Sequence, residues 1–344
     1  MRPDATTLRH GGALDAAIAR HGGRREDWLD LSTGINPVAA ELPDFPPEAF
    51  SRLPESSLER AALDAARRAY GAPADAGIVA APGSQALISL LPFLLPPTEV
   101  AIVEPTYAEH RGAFAAAGHE VAGIDRSDDI IADTVTVAVV VNPNNPDGRV
   151  FSRAELFELH ERMAARGGLL VVDEAFMDAT PDMSLASEAG RPGLLIHRSF
   201  GKFFGLAGLR LGFALTTPDL AGRLSERLGS WAVSGPALVC AEALLGDGHA
   251  IRATRQRIRR QAEMLFEAVL NRRTPLVGRT ALFATIRHER AGALFEALCR
   301  RRILTRPFAE RPDWLRIGNP AGPDDAARLR AALTEALDEI GGEG

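Results

Sequence analysis

The sequence has almost no lysine. Lysine and arginine together number 39 among 344 residues, yet Lys202 is the single lysine and the other 38 are arginine. A base composition that favours arginine codons accounts for the bias, and at a surface either cation serves. An amine that must lose its proton and bond to carbon cannot be arginine, whose pKa stays above ~12. Lys202 is thus either a leftover surface cation or a nucleophile, and composition alone does not separate the two. Cysteine is scarce as well: Cys240 and Cys299 cannot build a disulfide framework. No apolar run is long enough to span a bilayer. The most apolar one, Ala86 to Leu95, is closed by Pro96 and Pro97. The stretch from Met1 to His10 is polar and lacks the apolar centre of a signal peptide. The expectation is a cytoplasmic protein with no membrane association. A basic excess is missing too: the net charge of -6 argues against a nucleic-acid partner. The run Arg252 to Arg260 reads instead as the solvated face of a long helix.

Several motifs are also absent. The eight histidines show no metal-ligand spacing, so no metal is expected. Gly201-Lys202 is not the end of a P-loop, because Ile196 stands where a glycine is needed and Phe203 where Ser or Thr is needed. No Gly-x-Gly-x-x-Gly follows a strand.

What is present is a globular composition, 46% hydrophobic and 24% charged, with alternating short aliphatic runs and helical patterns. Strands are expected at Ile78–Ala81, Glu99–Glu104, Thr136–Val141, Leu169–Asp173, Leu194–Arg198 and Leu209–Leu215. Helices are expected at Ser84–Leu95, Tyr107–Gly118 and Ser152–Arg166, the last with Glu155 three residues after its Ser cap. Continuous apolar strands separated by helices specify a mostly parallel sheet covered on both faces. After about Ala237 longer helices and short strands describe a smaller α+β domain. The expected division is a large α/β/α domain over 43–237, with 1–42 and 238–344 forming the small domain.

The polar residues gather at the expected strand ends, where ligands bind in such sheets. Asp173-Glu174, Lys202, Asn142-Pro-Asn-Asn-Pro-Asp-Gly148 and Gly83-Ser84-Gln85 each follow a strand. Singly, each is ordinary turn chemistry. Together they supply backbone N–H groups for a phosphate, a carboxylate for a pyridinium nitrogen and an amine for a Schiff base. Those are the requirements of pyridoxal 5'-phosphate (PLP).

The segment Ser199-Phe-Gly-Lys-Phe-Phe-Gly-Leu-Ala-Gly-Leu-Arg-Leu-Gly-Phe213 resembles the lysine segment of fold-type-I PLP enzymes, closest to the histidinol-phosphate aminotransferase group. The Asn-Pro-Asn-Asn-Pro and Asp-Glu-Ala segments fall in the same order. The resemblance implies that Lys202 and Asp173 are catalytic, Lys202 as the Schiff-base residue and Asp173 on the pyridine nitrogen. It places Asn145 on the ring oxygen, Tyr107 on the ring face, and Ser84, Gln85, Ser199 and Arg210 around the phosphate. Arg316 would take the substrate carboxylate as a bidentate fork.

Within that group, His10-Gly-Gly12 and Asp30-Leu-Ser-Thr-Gly-Ile-Asn-Pro37 are similar to the threonine-phosphate decarboxylases of cobalamin biosynthesis. That resemblance adds His10, Gly11, Gly34, Asn145 and Arg306 as substrate contacts. Phe176 stands where the aminotransferases carry a tyrosine that bonds the cofactor, so the ring oxygen depends more on Asn145. Leu53 stands where a tyrosine often reaches the neighbouring subunit's phosphate. The implied activity is decarboxylation of L-threonine O-3-phosphate to (R)-1-amino-2-propanol phosphate by a homodimer. The alternative is transamination of histidinol phosphate or an aromatic amino acid. The same ring serves both: the bond to the substrate's α-carbon that stands perpendicular to it is the bond that breaks.

Overall fold

The run Val-Thr-Val-Ala-Val-Val-Val is dominated by β-branched side chains and bounded by an Asn-Pro turn, and it forms a strand buried on both faces. Around it the computed structural model, which describes residues 11–125 and 135–342, builds a seven-stranded sheet. Its strands are β1 (Gly77–Ala81), β2 (Glu99–Val103), β3 (Glu120–Ile124), β4 (Val135–Val141), β5 (Leu169–Asp173), β6 (Leu194–Ser199) and β7 (Gly212–Thr216). Their spatial order is β1-β7-β6-β5-β4-β2-β3. The pairs from β6 to β3 are parallel, whereas β7 runs antiparallel to both β1 and β6.

The antiparallel strand starts later than Leu209. Gly205 has a left-handed backbone, Ala207–Leu209 make one tight turn, and Arg210 sits at φ 52° before the strand begins at Gly212. This turn sends the chain straight back beside β6. The start of β7 therefore lies at the same rim as the ends of β1 and β6, with Ala81 and Ser199 both opposite Gly212.

Helices of this unit that bear on the site and its core include α1 (Ser56–Tyr70), α2 (Ser84–Leu90), α3 (Glu109–Ala116), α4 (Arg153–Ala164), α5 (Phe200–Phe204) and α6 (Gly235–Gly246). Helix α4 opens with the expected reciprocal cap: Glu155 N–H donates to Ser152 Oγ at 3.2 Å, and Ser152 N–H to the Glu155 carboxylate at 2.7 Å. Val100, Ile102, Val137, Val139, Val171 and Leu195 form the core between sheet and helices.

The unit comprises Ala39–Asn145 and Arg149–Arg255, so it runs past the expected limit at 237. The reason is α6, which is apolar except for exposed Glu242 and packs along the Ala62, Ala65 and Ala66 face of α1. The division falls inside the helix Gly248–Val269. The arginines there are not all solvated: Arg255 Nε donates to the Asp178 carbonyl at 3.0 Å.

The second unit comprises the described residues up to Val38, the turn Pro146–Gly148 and the described residues from Gln256 onward. An antiparallel sheet in the order β10-β11-β9-β8 is made by β8 (Leu276–Arg279), β9 (Phe283–Arg287), β10 (Arg306–Pro307) and β11 (Trp314–Gly318). Helices α7 (Ala291–Arg300) and α8 (Pro323–Gly341) share its core through Leu294, Leu298, Leu315, Ile317, Leu329 and Leu333. The N-terminal segment joins by a parallel pair, Leu29–Asp30 with Ile303–Leu304. Thr285 Oγ1 donates to the Pro146 carbonyl at 2.5 Å, which explains why that turn groups with this unit.

Candidate active site

The rim of the large sheet carries the expected residues. Asp173 ends β5 and is 2% exposed. Its Oδ2 lies 2.9 Å from His110 Nε2, and its Oδ1 accepts the Ala175 N–H at 3.0 Å. Burial opposes the charge on Asp173. The hydrogen bond and charge of His110, with Lys202, outweigh it and hold the carboxyl well below the usual carboxylate range. Asp173 is therefore an anion at every physiological pH.

Lys202 lies in α5, directly after β6, the strand beside Asp173. Its Nζ sits 4.2 Å from the centre of the Phe176 ring. Phe176 thus offers this amine an aromatic face and no hydroxyl.

Tyr107 is fixed from two sides. Its hydroxyl donates to Gln85 Oε1 at 2.9 Å, and its ring meets His110 edge-on. The Gln85 side-chain amide also reaches Ser89 and Glu109. Toward an anion Gln85 therefore has its backbone N–H to offer. Nearby, Thr106 Oγ1 donates to Asn144 at 2.6 Å, and Asn144 donates to the Pro105 carbonyl at 2.8 Å. Asn142 exchanges two hydrogen bonds with the Phe151 backbone. These bonds hold the loop that presents half-buried Asn145.

Two glycines mark a close approach of backbones between β1, β7 and α2. A Cβ on Gly212 would lie 2.2 Å from the Ser84 nitrogen, and one on Gly83 would lie 2.7 Å from an Arg210 guanidinium nitrogen. Gly83, Ser84 and Arg210 are thereby drawn together, with Ser199 opposite Gly212. Polar N–H groups and one guanidinium at a glycine-lined rim suit a phosphate.

Behind the rim lies a buried ion cluster that the sequence reading did not anticipate. Arg198 donates to Glu174 at 2.9 Å and to Asp178 at 2.7 Å, and its guanidinium stacks 4.2 Å from the Tyr70 ring centre. Glu174 also accepts from Ser184 Oγ and the Leu185 N–H. Burial raises the Glu174 proton affinity, and Arg198 with these donors counters it. The cluster ties the residue after Asp173 to the strand that leads to Lys202.

His110 was legible in principle. It stands three residues after Tyr107, and its N–H donates to the Tyr107 carbonyl at 3.2 Å as the chain turns into α3.

Of the expected substrate residues, Gly11, Gly34, Arg306 and Arg316 belong to the second unit, and Asn145 to the first. Arg316 on β11 is opposite Arg306 on β10 and donates to the Ser32 carbonyl at 2.9 Å. Burial, then the charge of Arg306, pushes the Arg316 proton affinity down to about 9. A bound anion would relieve that cost. Ser32 Oγ accepts the Gly12 N–H at 2.8 Å, and a Cβ on Gly11 would collide with the Ser32 carbonyl. Gly34 is buried in the same loop, whose Thr33 carbonyl abuts Gly318. His10 lies outside the described residues. Among the described residues no group of three or more metal-ligating side chains occurs, and no helix is long and apolar enough to cross a membrane.

Residues 28–334 match the family model for aminotransferase class I and II. The chain belongs to this family, and the sheet described above is its fold-type-I architecture. It is 46% identical over 95% of its length to a threonine-phosphate decarboxylase of Pseudomonas aeruginosa, covering 97% of that protein. It is likewise 46% identical over 96% of its length to one from a Sinorhizobium species, covering 98% of it. The solved histidinol-phosphate aminotransferase of Sinorhizobium meliloti in complex with pyridoxal-5'-phosphate superimposes with a TM-score of 0.80 at 19% identity, over 95% of this chain and 94% of that one.

Proposed function

We propose that this chain is a PLP-dependent decarboxylase of L-threonine O-3-phosphate. The observation that carries the cofactor reading is Asp173, a sealed carboxylate kept ionised by His110, on the strand beside the one that leads to the only lysine. When bound, PLP supplies an electron-withdrawing ring that stabilises negative charge at the substrate's α-carbon. Asp173 would hold the proton on the pyridine nitrogen, and Lys202 would carry the cofactor and move protons at the substrate's α-carbon. Tyr107 would pack on the ring, Asn145 would bond its oxygen, and Ser84, Gln85, Ser199 and Arg210 would hold the phosphate. The residues present fit that group, because Gly83 and Gly212 let Ser84 and Arg210 come together at the rim and Asp173 is a buried, ionised carboxylate.

Arg316 and Arg306 are proposed to bind the anionic ends of the substrate, with His10, Gly11, Gly34 and Asn145 completing its contacts. The choice of decarboxylation over transamination is supported by the 46% identity across nearly whole chains to two threonine-phosphate decarboxylases. It is supported also by Phe176 beside Lys202. The likeness to an aminotransferase, at 19% identity, concerns the fold. Aminopropanol phosphate for cobalamin assembly is the proposed product.

A homodimer in the cytoplasm completes the proposal, with neither a nucleic-acid nor a membrane partner. Phe50 and Leu53, both exposed on the large unit, suit a subunit interface. The test of the substrate is its phosphate. Threonine itself should lose kcat as well as raise KM, because remote binding energy is used to orient the breaking bond. Equal kcat on threonine and threonine phosphate would contradict the assignment.

A further inference from the structure

His197 takes no part in the chemistry described above. It is 1% exposed, and neither ring nitrogen has a hydrogen-bond partner among the described residues. A polar ring left so in a protein interior is costly, so its presence calls for a physical reason.

Its surroundings are specific. On the β5–β6 ladder His197 is the residue opposite Asp173, so both side chains lie on one face of the sheet. On its other side β7 places Ala214 opposite it, which brings no charge. From α3 comes His110, whose ring is parallel to that of His197 within 13°, centroids 6.2 Å apart. Lys202 in α5 acts electrostatically on the same Asp173. The titratable groups that act on His197 are thus Asp173 and His110. His110 in turn has Tyr107 edge-on, at 6.2 Å and 85°.

We propose that His197 is a positioning residue: its flat ring backs His110 and keeps His110 Nε2 on Asp173 Oδ2. The proposal rests on the reading that Asp173 holds the pyridine nitrogen of PLP. An imidazole suits the place because it is flat and adds no charge there. Burial pushes its proton affinity down to about 4, with Asp173 raising and His110 lowering it, so it stays neutral beside the pair. A backed His110 gives Asp173 a fixed donor on one oxygen, and the carboxylate keeps its full charge for the cofactor.

The experiment compares the holoprotein with His197→Leu and His197→Phe, each loaded with PLP labelled with nitrogen-15 in the ring. Two signals are read, the ring-nitrogen resonance and the pH midpoint of the visible band of lysine-bound cofactor. A proton on the ring nitrogen draws electrons from the Lys202 nitrogen, so a weaker hold on that proton raises the midpoint. His197→Leu, which has no flat ring, should raise it by about half a unit or more. The resonance should move toward that of unprotonated pyridine. His197→Phe should stay closer to wild type in both signals. If the Leu variant does not accumulate as folded protein, His197→Asn replaces it with the same expectation. Wild-type signals in the Leu or Asn variant would overturn the inference, as would a Phe variant displaced as far as they are. A wild-type protein that shows no lysine-bound band with PLP would overturn the cofactor reading itself, and the inference with it.

Discussion

His110 Nε2 and Asp173 Oδ2 lie 2.9 Å apart, sealed from water at the end of a central strand. A carboxylate desolvated without a partner would take up a proton. Here the hydrogen bond and the cationic neighbours win, and Asp173 stays charged where a cofactor's ring nitrogen would need it.

Asp173→Asn keeps the shape of the side chain and removes the charge. The variant should still bind PLP and should lose about a thousandfold in turnover, equivalent to ~4 kcal/mol of transition-state stabilisation. Steady-state rates and bound-cofactor absorbance check this. Turnover within tenfold of wild type would mean that the ring nitrogen does not depend on Asp173.

The buried His197 makes stability fall in mild acid. Its imidazole is protonated in the unfolded chain below about 6.5 but stays neutral in the folded chain down to about 4. Between these values the unfolded chain binds more protons, so stability is lost as the pH falls through that window, by about 3 kcal/mol. Asp173 has a depressed pKa and acts in a lower range: its contribution is present above the ordinary carboxylate pKa and is lost only as the pH falls further. Denaturant unfolding at about pH 7 and about pH 4.5 should show a smaller drop in His197→Phe than in wild type. Equal drops would exclude His197 as the source.

The Glu174–Arg198 pair should behave as a buried ion pair. Glu174→Gln or Arg198→Met alone should each cost about 3–5 kcal/mol, because an uncompensated charge remains. The double variant should cost clearly less than the two single costs together. Additive losses in equilibrium unfolding would show that the two groups act independently.

Much of the rim could be read from the chain, because strand-end chemistry is local: Asp173 follows four aliphatic residues, and Ser152 with Glu155 announces its own helix. What escaped depends on tertiary partners. Strand β3 is half-exposed and lacks an apolar run, so no periodicity marks it. The reversal of β7 depends on left-handed backbone at Gly205 and Arg210, and arginine gives no hint of such a conformation. His110 meets Asp173 across 63 positions, and Arg198 finds Glu174 across 24. Their side chains looked like ordinary helix and strand polar residues until the sheet order joined them.

The most direct test of the account is the fate of the substrate carboxyl carbon. Threonine phosphate labelled with carbon-13 at the carboxyl group is incubated with the PLP-loaded protein in the absence of any 2-oxo acid. The account predicts labelled CO2 in equal amount to aminopropanol phosphate over many turnovers. The contradicting result is no labelled CO2, together with amino transfer from histidinol phosphate that requires 2-oxoglutarate.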